Sequence, residues 1–298
     1  MRLLSTLLLS ISLTLIAPLI WAGLLALLVG PSRGRRTVAI VLGALSLAAP
    51  YFAPTEIAIV RGACATLVAA QFMMLLDLAL DPRAWSSRQR VLRVIAFVDP
   101  NVARPRRKAP DRSLVLRLLG FGALSALMLW LAMSAEAPLL RWAAGLVLAY
   151  ATFEVLHASV VIPLQWAGVE QPPFHSDPIL SRSVAEFWGE RWNRVISGWL
   201  RAHCFRPLAR RRRARLGIAL AFAVSAALHA YIFWPAVGAR LALMVGLFFA
   251  VQPLFVLAER ALTLRRRPVW VARAWTLGAL GLSSPLFIGP FLQAIEPR

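Results

Sequence analysis

Lysine, cysteine and acid are all scarce in this chain. Lys108 is the only lysine among 33 basic side chains. Two cysteines, Cys64 and Cys204, cannot supply a disulfide framework. Charged residues of both signs make up 15% of the chain, where a soluble domain carries roughly a quarter. Apolar residues make up 59%, too many for the polar surface available to cover in water. A soluble enzyme and a disordered chain are therefore both excluded. Also missing are a glycine-rich phosphate loop, a Gly-x-Ser-x-Gly elbow, a Cys-x-x-Cys pair, any internal repeat and any long linker. What remains is a single all-α domain over residues 1–298, a polytopic integral membrane protein.

The apolar residues come in runs about as long as a bilayer is thick. About eight spans are expected: Leu3–Val29, Val38–Ala53, Ile57–Leu80, Leu114–Met133, Leu139–Trp166, Leu216–Trp234, Leu241–Ala258 and Ala274–Leu292. The second is short for a span. The first is too long for a signal-peptide core and lacks a basic start, so it reads as a retained span.

The net charge of +20 would suggest a nucleic-acid partner in a soluble protein. Here an anionic membrane leaflet accounts for it, and no nucleic acid is expected. The alternate loops Pro31–Thr37, Asp81–Ser113, Ala167–Arg215 and Glu259–Arg273 hold 27 of the 33 basic residues. The positive-inside rule places them in the cytoplasm and both termini outside. Arginine and alanine richness points to a GC-rich bacterial genome, and so to the bacterial inner membrane.

Ala167–Arg215 is too long to be only a connection. Its opening, Gln171-Pro172-Pro173-Phe174 to Asp177-Pro178, cannot be helical. Ser183-Val184-Ala185-Glu186 then reads as a capping box. After it, Val184, Phe187, Trp188, Trp192, Val195, Ile196, Trp199 and Leu200 form one apolar stripe, with Glu186, Glu190, Arg194 and Arg201 opposite. The spacing predicts a cytosolic amphipathic helix lying in the membrane interface. Asn193, on the flank of the stripe, is not needed for anchoring and is expected to face protein interior.

Inside the spans the polar residues are few. His229 sits about 21 Å along a helix counted from Arg215, in a run of Ala, Leu, Ile, Val and Phe. An ionisable group at that depth is a functional candidate. Ser225 lies one turn before it. Glu154 and His157 form an i, i+3 pair that resembles half of a di-iron bundle site, but the second half is missing and no metal is expected. Arg61 and Asp77 lie near the ends of their span, where snorkelling would suffice. Arg210 to Arg213 act as a topology signal and could attract an anionic substrate.

Pro173-Phe174, Pro178, Ser183 and then Phe187-Trp188-Gly189-Glu190-Arg191-Trp192-Asn193 resemble the motif of wax synthases, a branch of the membrane-bound O-acyltransferase (MBOAT) superfamily. In that branch an intramembrane histidine follows the Asn by roughly 35 residues, and His229 follows Asn193 by 36. The span Phe222-Ala223-Val224-Ser225-Ala226-Ala227-Leu228-His229 is similar to the histidine helix of the family. The close match covers residues 171–234. The resemblance implies an MBOAT-like fold, with His229 as the catalytic base and Asn193 as the second motif residue, either donating a hydrogen bond to a thioester carbonyl or holding the acyl donor. It also implies acyl-CoA as co-substrate, no resident cofactor, and a lipid alcohol as acceptor. Trp188, Arg191, Trp192 and Ser225 become candidate substrate contacts. Relatives often carry an acid directly after the histidine where this chain has Ala230, and Glu154 is a candidate substitute.

The acyl transfer implied needs a base to take the alcohol proton, and a neutral imidazole does so near pH 7. Two other readings compete. A transporter or flippase would use His229, Glu154 and His157 as a proton path, but the two-fold repetition of many transporter folds is missing. A structural subunit would need neither Asn193 nor His229. Oligomeric state cannot be read from the sequence.

Overall fold

A computed structural model describes residues 2–81, 85–99 and 101–296 of the chain. Pro82, Arg83, Ala84 and Pro100, which belong to the expected basic loop Asp81–Ser113, lie outside the described residues. The described part is almost entirely helical. Six helices are long and apolar enough to cross a membrane: α1 (Arg2–Leu28, its apolar part starting at Ser5), α3 (Ala58–Leu80), α5 (Arg112–Ser134), α6 (Pro138–Trp166), α10 (Ala214–Val237) and α11 (Ala239–Ala261). Counted as one broken span, α12 (Val269–Ser283) and α13 (Pro285–Ile295), which meet at a 53° bend, make a seventh. Pro285 opens α13 and lacks the N–H that would continue the first helix.

The expected count of about eight is not confirmed among the described residues. The segment read as the span Val38–Ala53 is α2 (Arg33–Ser46), of 14 residues, followed by a single 3₁₀ turn. At about 1.5 Å per residue it reaches about 21 Å, against a hydrocarbon core of about 30 Å. The multi-pass all-α membrane architecture itself stands as expected.

The chain divides into two compact units. The N-terminal unit comprises Met1–Val102 and Ala230–Ala242. In it α1 packs on α3 and on α4 (Ser87–Ala96), and α2 packs on α3. Gly43 permits that last contact, because a Cβ there would meet Leu75 at 2.6 Å. The two charged residues of α3 are paired rather than snorkelling. Arg61 reaches Glu56 at 2.9 Å, and Asp77 accepts from Arg93 at 2.7 Å.

The second unit comprises Ala103–His229 and Leu243–Glu296. Its α5 and α6 form an antiparallel hairpin. A two-residue ladder between β1 (Arg104–Pro105) and β2 (Val169–Glu170) ties the chain before α5 to the chain after α6. Gln165 strengthens that tie by accepting the N–H of Asp111 at 2.8 Å. Against α6, α13 buries Ile288 and Leu292 beside Ala144 and Leu148.

Candidate active site

The site is built on the stretch between α6 and α10. It is not the single interfacial helix that the stripe predicts. Ser183 does cap a first turn, α7 (Val184–Glu186), accepting the N–H of Glu186 at 2.9 Å. Glu186 reaches back as a capping box requires, but to the N–H of Arg182, at 2.8 Å. The helix then widens into a π-turn over Phe187–Arg191, closed by the N–H of Trp192 on the carbonyl of Phe187 at 2.8 Å. Trp192 is extended, and Asn193 turns left-handed at φ 38° before α8 (Arg194–Leu200) begins. The stripe is periodic on both sides of this break, so periodicity alone could not reveal it.

Backbone hydrogen bonds hold the break in place. The N–H of Arg194 donates to the carbonyl of Phe174 at 2.8 Å, and the N–H of Ser176 donates to the carbonyl of Arg191 at 2.9 Å. Asn193 fits a left-handed position better than most residues do. Its Oδ1 accepts the N–H of Ile196 at 3.4 Å, an N-cap contact, and its N–H donates to His175 Nδ1 at 3.2 Å. Asn193 is half-buried, and these two contacts are made by its amide oxygen and its backbone N–H. Arg191 is engaged within the same knot, donating to Glu186 Oε1 at 2.5 Å and to the carbonyl of Ser176 at 2.9 Å. Burial pushes the Glu186 carboxyl up, but the bonds from Arg182 and Arg191 outweigh it and hold it below the usual carboxylate range.

The segment packs against protein well along α6, not at its end. Trp192 lies 4.6 Å from Phe153 and 6.4 Å from Tyr150, ring to ring, and Phe153 is about 20 Å of helix before Trp166. Its start is fixed from the other side by Glu259, a buried residue near the end of α11. That carboxylate accepts the N–H groups of Val184 at 2.7 Å and Ala185 at 3.1 Å, which have no partner inside their own helix.

His229, in α10, is half-buried in this unit. Its Nδ1 lies 2.8 Å from the carbonyl of Ser225 and 3.5 Å from the Ser225 hydroxyl. A carbonyl can only accept, so Nδ1 carries the hydrogen and Nε2 keeps its lone pair in the neutral ring. Phe249 stacks on the imidazole with ring centroids 3.6 Å apart. The same Phe249 lies 5.3 Å from Trp188, whose Nε1 donates to Gln252 at 3.2 Å. Gln252 is fully buried and donates onward to Phe248 O and Ser283 Oγ. Trp188 lies 6.3 Å from Trp192, ring to ring.

The structure therefore joins His229 to the motif through Phe249 and Trp188, and joins Asn193 to it through its neighbour Trp192. Sequence reasoning missed Phe249, Gln252, His175 and Glu259. None belongs to a local pattern, and only the fold brings them to the motif. Glu154, the candidate substitute for the missing acid, is engaged elsewhere. It pairs with Arg117 at 3.0 Å. Its neighbour His157 accepts the N–H of Phe174 at Nδ1, at 3.4 Å. Among the described residues no three His, Cys, Asp or Glu are placed to hold a metal ion.

Residues 171–251 match the model of the membrane bound O-acyl transferase family. The match is confined to that stretch, about a quarter of the chain. The matched stretch holds Asn193, Trp188, Ser225, His229 and Phe249. Over 161 residues the chain is 31% identical to the probable long-chain-alcohol O-fatty-acyltransferase 3 of Arabidopsis thaliana, covering 48% of this chain and 45% of that one. Over 105 residues it is 33% identical to the long-chain-alcohol O-fatty-acyltransferase of Simmondsia chinensis, covering 33% of this chain and 30% of that one. The expected likeness to the wax synthase branch is borne out over the matched part. The chain spans less than half the length of either relative.

Proposed function

We propose that this protein is an integral-membrane O-acyltransferase that moves a fatty acyl group from acyl-CoA to the hydroxyl of a long-chain lipid alcohol. It works as one membrane-embedded domain and needs no resident cofactor. The observation that carries the reading is the hydrogen bond from His229 Nδ1 to the Ser225 carbonyl, which leaves Nε2 as the base within the family's own stretch.

The alcohol donates its O–H to Nε2 as its oxygen attacks the thioester carbon. The tetrahedral intermediate collapses, the C–S bond breaks, and the departing CoA sulfur takes the proton from Nε2. With Asn193 Oδ1 turned to the N–H of Ile196, its NH₂ is the end left for a substrate. That end donates to the thioester carbonyl oxygen, where negative charge grows in the transition state. Trp188 and Trp192 offer apolar faces to the acyl chain. Ser225 and Arg191 serve by shaping the site.

Along the chain, the basic stretches 103–111, 167–213 and 262–268 are separated from one another by two membrane-length helices each, α5 with α6 and α10 with α11. All three then lie on one side. The positive-inside rule makes that side cytoplasmic, here that of a bacterial inner membrane. Arg210 to Arg213 are exposed there and would attract the phosphates of acyl-CoA.

The test is ester formation by the purified chain in detergent, given labelled acyl-CoA and a panel of alcohols. His229→Ala should cut turnover about 100-fold or more with the fold intact. Undiminished esterification by that variant removes the base from the mechanism.

A further inference from the structure

A cavity of about 380 Å3 lies inside the N-terminal unit, among α1, α2, α3 and α4, and His229 is not among its lining residues. Its volume falls in the range of small-molecule sites, about 300–1,000 Å3. The walls are almost wholly apolar. Leu13, Trp21 and Phe52 line it and are themselves exposed, so it opens sideways, toward lipid in a membrane.

One polar group in the wall is out of balance. Gln71 is only 4% exposed, and its Nε2 has no hydrogen-bond partner. The other side-chain hydroxyls in the wall are committed as donors, Thr14 to the carbonyl of Ser10 at 2.7 Å and Ser46 to the carbonyl of Gly43 at 2.6 Å. A buried amide hydrogen without an acceptor is costly. Gln71 stands about 20 Å from the Ala58 end of α3 and about 14 Å from the Leu80 end. At that depth neither water nor lipid headgroups can supply the acceptor.

We propose that this cavity binds a neutral long-chain ester, with Gln71 Nε2 donating to the ester carbonyl. The depth of Gln71 selects this class. Acyl-CoA, a free fatty acid or an alcohol keeps its polar end at the interface, because burying a charge or an unpaired hydroxyl is expensive. An ester linking two alkyl chains carries acceptors only, flanked by hydrocarbon on both sides, and can place its carbonyl mid-membrane. The choice of ester as ligand rests on the proposed acyltransferase activity, of which it is the product. The cavity and its unmatched amide do not.

Cys64 lines the same cavity and is buried, and Cys204 is a buried thiol of the other unit. This permits a binding test that needs no turnover. The full-length protein in detergent is treated with an apolar maleimide in the presence of hexadecyl hexadecanoate, hexadecane or 1-hexadecanol. Alkylation at each cysteine is followed by peptide mass spectrometry. The ester should slow labelling of Cys64 about fivefold more than the alkane does, the worth of one hydrogen bond, and leave Cys204 unchanged. Gln71→Leu should bring ester and alkane to the same rate. Equal protection by ester and alkane in the wild type, stronger protection by the alcohol, or no protection at all overturns the proposal, and none of these results depends on the variant folding. A chain that binds ester and never makes it would sink the acyltransferase reading and leave this site standing.

Discussion

At the residue scale, the site rests on how one imidazole is held. His229 is oriented by a main-chain carbonyl below it and the face of Phe249 beside it. The Ser225 hydroxyl is farther from the ring than the Ser225 carbonyl. Ser225→Ala should therefore leave turnover within about threefold of wild type, since the carbonyl acceptor survives. Phe249→Ala should lower kcat about tenfold or more with a smaller change in KM, because it loosens the proposed base without touching the proposed alcohol substrate. Steady-state rates for both variants check this, and the reverse order would give the hydroxyl the positioning role. Asn193 poses a sharper question, since its backbone turns left-handed and its amide is the proposed donor to substrate. Asn193→Gly keeps the left-handed turn and removes only the amide. It should retain most of the wild-type apparent Tm and lose ester formation as severely as Asn193→Ala. Near-normal activity in the glycine variant would reduce Asn193 to a turn residue. His229 and Asn193 were legible because each is out of place, a histidine in a hydrocarbon run and an amide beside a tryptophan stripe. His175 and Phe249 were not, since a histidine in a loop and a phenylalanine in a span look ordinary until the fold gives them neighbours.

At the element scale, the motif shows how far periodicity reaches. Val184 to Leu200 has the spacing of one helix, yet the chain forms a turn of helix, a π-turn, an extended tryptophan and a second helix. Tertiary hydrogen bonds outweigh local preference here. The carboxylate of Glu259 holds the first N–H groups, and the loop from Phe174 to Ser176 fastens the break. Glu186 makes part of this acid-sensitive. Its folded value lies below the usual range, about 4.3 for a glutamate, so its stabilisation is fully present above that range and is lost as pH falls through the folded value. The apparent Tm at a fixed scan rate should drop as pH is lowered from 6 to below 4. Glu186→Gln should be less stable than wild type at pH 7 and should lose less on acidification. Parallel curves for the two proteins would show that Glu186 is not the sensitive group. The short second span has a similar lesson. Val38 to Ala53 is apolar enough for a membrane, but its helix ends at Ser46 and is too short to cross one.

At the scale of the whole molecule, charge sets the expected topology. Arg213→Cys places a reactive, exposed thiol in the basic stretch before α10, in a chain whose own two cysteines are buried. In sealed inside-out membrane vesicles a charged maleimide should label it at once, and in right-side-out vesicles only after permeabilisation. The opposite pattern would overturn the proposed orientation and put the arginines on the side away from the proposed acyl donor. The sequence by itself determined the class of the molecule and the placing of its long helices, and it singled out His229 and Asn193 as candidates that a family resemblance then gave roles. The class and the helices follow from quantities that are local along the chain: hydropathy, charge and spacing. Only the tertiary structure decided the break at Trp192 and Asn193, the ring that steadies His229, the partner of Glu154 and the unmatched amide in the N-terminal cavity. Each of those depends on which groups far apart in the chain share a hydrogen bond or a face, and no local pattern encodes that.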